Sequence, residues 1–114
     1  YAIGDCAAAQ GLHLTYVAPI KQQVKALAQT LLGSACKVEY PAMPVVVKMP
    51  TFPLTLVPRR GFVEGQWQTE ESQANSAVEV FYDASRQVQA FVLAGEAIKQ
   101  RNTWLQKMPK LLAS

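Results

Sequence analysis

Histidine and cysteine are scarce in this chain: His13 stands alone, and the only thiols are Cys6 and Cys36. A metal centre needs several ligands brought together, so one loop histidine does not suggest one. The cysteines form no C-x-x-C pair, which excludes a close redox dithiol. They read as reduced thiols behaving as small hydrophobes, with a disulfide between them as the alternative. No Ser-His-Asp or paired-carboxylate arrangement is recoverable. No Gly-x-Gly-x-x-Gly loop is present to receive a dinucleotide. No apolar run approaches the roughly 20 residues of a membrane helix. The N-terminus has no basic stretch followed by a cleavage site, so the chain is expected to be soluble and cytoplasmic. Internal repeats and low-complexity tracts are missing as well.

What is present suits a small globular protein. The 114 residues are 50% hydrophobic, enough for a modest core. The opening Tyr1-Ala2-Ile3-Gly4-Asp5 reads as the second half of a buried strand that delivers one carboxylate into a loop, although an ordinary turn would show the same residues. In open α/β sheets ligands lie beyond the carboxyl ends of strands. There Gly4 would let a ligand approach the backbone and Asp5 would accept hydrogen bonds from hydroxyls. From Pro19 to Leu32, the apolar residues Ile20, Val24, Leu27, Ala28, Leu31 and Leu32 recur at helical spacing, with Pro19 in the first turn and Gly33 past the end.

A strand-rich segment follows. Met43 to Met49 reads as a strand with Pro44 at its start. Leu54 to Val57, fenced by Pro53 and Pro58, reads as a short edge strand, and Gln66 to Glu70 as a weaker third. Ala77 to Tyr82 and Val88 to Ala94 flank Asp83-Ala84-Ser85-Arg86-Gln87 and predict a hairpin with Val78, Val80 and Tyr82 on one face. Ile98, Arg101, Leu105 and Met108 mark a helix over 96–107 that Pro109 ends. Antiparallel strands closed by a helix make an α+β domain. Trp67 and Trp104 are expected in the core.

The order of strand end, Gly-Asp, loop and Pro-started helix resembles the closing segment of the FAD-binding domain in flavoprotein reductases with two dinucleotide-binding domains. The rest of the chain resembles the C-terminal domain of rubredoxin–NAD(P)+ reductases. That second likeness is carried by Tyr40-Pro-Ala-Met-Pro-Val-Val-Val-Lys-Met-Pro50, Gly65-Gln-Trp67, Phe81-Tyr-Asp83, Ala90-Phe-Val-Leu-Ala-Gly95 and Trp104-Leu-Gln-Lys-Met-Pro109. It departs from the family in lacking glycine in the 83–87 turn and at Ala90. The resemblance implies that residues 1–35 end an FAD-binding domain and residues 36–114 form the C-terminal domain. Because the chain starts partway through an element and lacks both nucleotide loops, it is expected to be a fragment of a longer enzyme that binds neither dinucleotide well alone.

By resemblance, Asp5 contacts the flavin ribitol beside Gly4, and the helix start at Val17, Ala18 and Ile20 points its free N–H groups at the pyrimidine side of the flavin ring. Pro19 has no N–H to give. A helix start with only water on its amides is the alternative. Lys48, expected on one face with Val46, would favour reduced, negatively charged flavin; a strand-end lysine reaching into solvent is the other reading. The implied enzyme takes electrons from NAD(P)H through FAD to a rubredoxin-like acceptor. Net charge +3 and pI near 9.0 fit this, with Arg59, Arg60, Lys99, Arg101, Lys107 and Lys110 steering an acidic protein, unless they and Glu64, Glu70, Glu71 and Glu96 form merely a solvated mixed surface. A nucleic-acid partner does not fit, because the basic residues are not clustered with exposed aromatics. Two further readings stay open: a docking domain without flavin, and a related ferredoxin reductase or NADH oxidase.

Overall fold

A computed structural model describes residues 1–111, which divide into two compact units, Tyr1–Met43 with Lys110 and Leu111, and Pro44–Pro109. Among the described residues no helix is long and apolar enough to cross a membrane.

In the first unit the opening residues do not form the expected strand. Ile3 is extended (φ −137°, ψ 160°), but the segment has no ladder partner among the described residues, and Gly4–Cys6 winds into a single 3-10 turn. A buried strand requires neighbours to bond its backbone, and the described residues of this unit supply none. Helix α1, Val17–Leu31, starts two residues before the predicted Pro19, which stands in the turn whose N–H groups have no intrahelical acceptor. Its seated face differs from the expected stripe. Pro19, Gln23 and Ala26 are buried, whereas Val17, Val24, Leu31 and Leu32 are 72%, 46%, 67% and 87% exposed. The small core of this unit is Leu14, Tyr40 and Met43, with Leu12, Tyr16, Val38 and Leu111 packed against it. The Leu111 N–H donates to the Tyr40 carbonyl at 2.8 Å, bringing the end of the described chain back to this unit.

The second unit is an antiparallel sheet of β1 (Val45–Val47), β2 (Leu54–Val57), β3 (Gly65–Gln73), β4 (Ser76–Asp83) and β5 (Val88–Gly95), in the spatial order β1-β2-β5-β4-β3. The α+β class stands, but β2 is not an edge strand: Val45 pairs with Leu56 on one side and Leu56 with Val92 on the other. Pro53 and Pro58 lie just outside its four residues, so neither removes a ladder bond. β1 is shorter than predicted and ends before Lys48.

One sheet face is covered by a 3-10 segment, Glu96–Gln100, and helix α2, Arg101–Leu105. The sequence predicts one helix here, but the polar run Lys99-Gln-Arg-Asn-Thr103 offers no apolar stripe to hold a 3.6-residue period. Val57, Val78, Val80, Val88, Phe91 and Leu93 meet Ala97 and Trp104 in the core, with Tyr82, Ile98, Leu105 and Met108 around them. Burying each large apolar side chain contributes roughly 1.5–3 kcal/mol. Trp104 is in the core as expected. Trp67 is not: it lies on edge strand β3, 49% exposed, with its ring edge-on to Phe81 at 5.5 Å.

The β4–β5 turn replaces the glycine usual in such turns with Arg86 at φ +64°. Asp83 compensates: its carboxylate accepts the N–H groups of Gln87 (2.9 Å) and Ser85 (2.8 Å) and the Gln89 amide (2.9 Å). These bonds, that from Gln87 foremost, lower the Asp83 pKa below its ordinary value. A lowered carboxyl pKa adds stability that is complete above the ordinary carboxylate range and is lost as pH falls through the lowered value. Protection of the Ser85 and Gln87 amides, the exchange rate relative to its intrinsic value at each pH, should therefore fall only at acid pH. In Asp83→Asn the acid-dependent loss of protection should vanish, as NMR-detected exchange will show.

Candidate functional site

The Gly4-Asp5 turn is held from several sides. Gly4 adopts φ +85°, the left-handed region where a side chain is strained, and its N–H donates to Gln23 Oε1 at 2.7 Å. The space where a Cβ would project from Gly4 is open, so the glycine is required by backbone conformation and not by close approach of a neighbour. The Gly4 carbonyl accepts the Ala7 N–H at 3.0 Å, and His13 Nε2 bonds the Asp5 carbonyl. The Asp5 carboxylate itself is exposed and makes no hydrogen bond or ion pair with a described residue. The backbone of Asp5 is thus fixed while its acceptor oxygens stay available for hydroxyl donors.

The start of α1 is likewise uncapped. Tyr16 at the N-cap supplies no side-chain acceptor, and the first turn has no acidic residue. The Val17 and Ala18 amides are among the four that a helix leaves without an internal partner, and a partial positive charge of about half a unit gathers there, whereas the Ile20 N–H, expected free, is the fourth in the helix and is used by the first intrahelical bond, to the Tyr16 carbonyl. Gln23, one turn further along, connects this helix to the Gly-Asp turn. Sequence reasoning misses this buried amide, because a glutamine between Gln22 and Val24 carries no signal of its own.

Lys48 lies in the other unit. It follows β1, is exposed, and borders a shallow hollow of about 390 Å³ with Val46, Val47, Met49, Pro50 and Pro53. Its exposure matches the reading of a strand-end lysine reaching into solvent, since β1 ends one residue before it. Several other cations are locally engaged. Lys99 pairs with Glu96 at 2.7 Å, Lys110 with Glu39 at 3.3 Å, and Lys107 sits over the Trp104 ring at 4.3 Å. Arg59 stacks on Phe81 and Arg86 on Tyr82. Cys6 and Cys36 are both free thiols, and no His/Cys/Asp/Glu group among the described residues is placed to hold a metal.

A fold with an antiparallel sheet, one covered face and a C-terminal helical segment thus follows an uncapped helix and a held Gly-Asp turn. Residues 37–108 match the family of rubredoxin binding C-terminal domains, and the chain belongs to that family. Similar proteins include a rubredoxin-NAD(+) reductase of Acinetobacter baylyi, 46% identical over 113 residues, and one of Alcanivorax borkumensis, 35% identical over 112 residues. A nitric oxide reductase FlRd-NAD(+) reductase of Escherichia coli is 36% identical over 110 residues. These alignments cover 98%, 98% and 96% of the chain, but only 28%, 29% and 29% of the relatives.

Proposed function

We propose that this chain is the C-terminal part of an FAD-dependent, cytoplasmic NAD(P)H:rubredoxin oxidoreductase. Residues 1–35 would complete its FAD-binding domain and residues 36–114 would form its rubredoxin-binding domain. The observation that carries this reading is the alignment of nearly the whole chain, Gly4-Asp5 included, with two rubredoxin-NAD(+) reductases. The exposed apolar side of α1 supports it: Val17, Val24 and Leu31 suit burial against a preceding domain.

The residues present fit a flavin. Asp5 offers unpaired acceptors for sugar-alcohol hydroxyls beside Gly4, and the amides of Val17 and Ala18 offer donors for the polar edge of the ring. FAD, when bound, couples two-electron donation by NAD(P)H to one-electron acceptance by rubredoxin. Lys48, with no ion-pair partner among the described residues, places a positive charge that favours the reduced, anionic ring. Free of a dedicated carboxylate, it can reach toward a neighbouring domain on its flexible stem.

The test is the full-length protein. It should purify yellow with bound FAD and should reduce rubredoxin faster than ferredoxin or oxygen with NADH or NADPH. A colourless protein would instead support a docking domain without flavin, and faster reduction of ferredoxin or oxygen would support a related reductase or oxidase. Lys48→Met should lower the flavin reduction potential by on the order of tens of millivolts, as expected for one solvent-screened charge. An unchanged potential would remove Lys48 from the mechanism.

A further inference from the structure

Gln23 is among the few buried polar residues of the chain, and its amide joins three segments distant in sequence. The Gly4 N–H donates to Oε1 at 2.7 Å, and Nε2 donates to the hydroxyl of Tyr40, which is fully buried, at 2.9 Å. The orientation of the amide is dictated by chemistry. A backbone N–H only donates, so the carbonyl end must face Gly4, and the NH2 end is left to face an acceptor, which the Tyr40 oxygen provides. No buried side-chain nitrogen or oxygen among the described residues lacks a partner. One position further along the chain is the Asp5 carboxylate, which bonds to no described residue.

The arrangement separates two tasks. Asp5 presents oxygen acceptors outward, and the bond from Gly4 to Gln23 holds the left-handed turn that aims them. A turn at φ +85° without that bond would be free to relax toward other glycine conformations, which glycine adopts readily. We infer that Gln23, with Tyr40 behind it, is a positioning residue for the cofactor contact of Asp5. This rests on the proposal above that Asp5 hydrogen-bonds the sugar-alcohol chain of FAD. Neither Gln23 nor Tyr40 is required to touch the cofactor.

A double-mutant cycle on FAD affinity in the full-length reductase tests this, with Kd measured by flavin fluorescence on the apoprotein. Asp5→Asn should raise Kd about 10-fold or more, because charge-assisted bonds are stronger than neutral ones. Gln23→Leu should raise it on the order of 10-fold in the presence of Asp5. In the Asp5→Asn background the same change should add less than about 3-fold, because residues acting through one another are not additive. Tyr40→Phe, which keeps the ring in its buried seat, should show a smaller loss of about 3-fold with the same dependence on Asp5, and carries the cycle if Gln23→Leu does not accumulate. Losses from Gln23→Leu or Tyr40→Phe that multiply fully with that of Asp5→Asn would overturn the inference, leaving Gln23 a purely structural amide. An unchanged Kd in Gln23→Leu would overturn it as well. An unchanged Kd in Asp5→Asn would remove the reading of Asp5 itself, and the inference with it.

Discussion

Gly95→Ala should destabilise the sheet unit by about 3 kcal/mol or more, a large fraction of the stability of an ordinary small domain. Two costs combine. Gly95 sits at φ +63°, ψ −131°, and left-handed backbone alone costs an L-residue roughly 1–2 kcal/mol. The new Cβ would also lie 2.1 Å from the Asn75 carbonyl oxygen and 2.8 Å from the Phe52 ring. That oxygen is held in place because it accepts the Glu96 N–H at 2.9 Å, while the Gly95 N–H donates to the Pro53 carbonyl at 2.9 Å. Relieving the clash therefore breaks the corner from which the covering helical segment departs. Gly61 supplies the control: it has the same φ of +63°, but a methyl group added there would meet no atom within 4 Å. Gly61→Ala should cost only the backbone share, about 1–2 kcal/mol. Urea unfolding of both variants measures the difference, and equal costs would show that the crowding around Gly95 relaxes freely.

Phe91→Ala should cost about 3–5 kcal/mol, the usual range for removing a buried aromatic ring. Phe91 is wholly buried on the central strand, opposite Val57 on one side and Val80 on the other, and belongs to the cluster completed by Trp104. Pairs on both flanks anchor the strand, so the core has little freedom to collapse into the void. Phe62→Ala removes the same ring from a fully exposed loop position and should change stability by less than about 0.5 kcal/mol. Denaturant midpoints at constant slope settle the comparison. A cost below about 1 kcal/mol for Phe91→Ala would mean that the sheet and its cover are not one cooperative core.

These contrasts also explain which features are legible in the sequence. The β4–β5 hairpin follows from alternation in Val78, Val80 and Tyr82, a local pattern that one face of a sheet imposes directly. Helix α1 follows from spacing and from Pro19. The seat of that helix does not follow, because Gln23 is buried by specific hydrogen bonds whereas Val24 and Leu31 remain exposed. Period alone identifies an apolar stripe but not what covers it. The position of β2 escapes a sequence reading for a related reason: flanking prolines suggest an edge, but ladder membership is decided by partners far along the chain. Trp67 shows the same limit, since a large aromatic on an outer strand keeps one side in solvent. At the candidate site, Gly4 and Asp5 are legible as a motif. The amide that fixes them is not, because its importance arises only when residues 4, 23 and 40 meet.

The non-sequential strand order carries a consequence for the nascent chain. β2 leaves the ribosome with only β1 to bond, and an isolated two-stranded ribbon is marginal in water. Its other neighbour, β5, is translated later, after the whole of β3 and β4; at ordinary elongation speeds the wait is roughly 2–7 seconds. Throughout that interval the stretch from Leu54 to Val57 is an unsatisfied template for foreign strands. Its four-residue length and its bordering prolines limit how far any such mispairing can propagate.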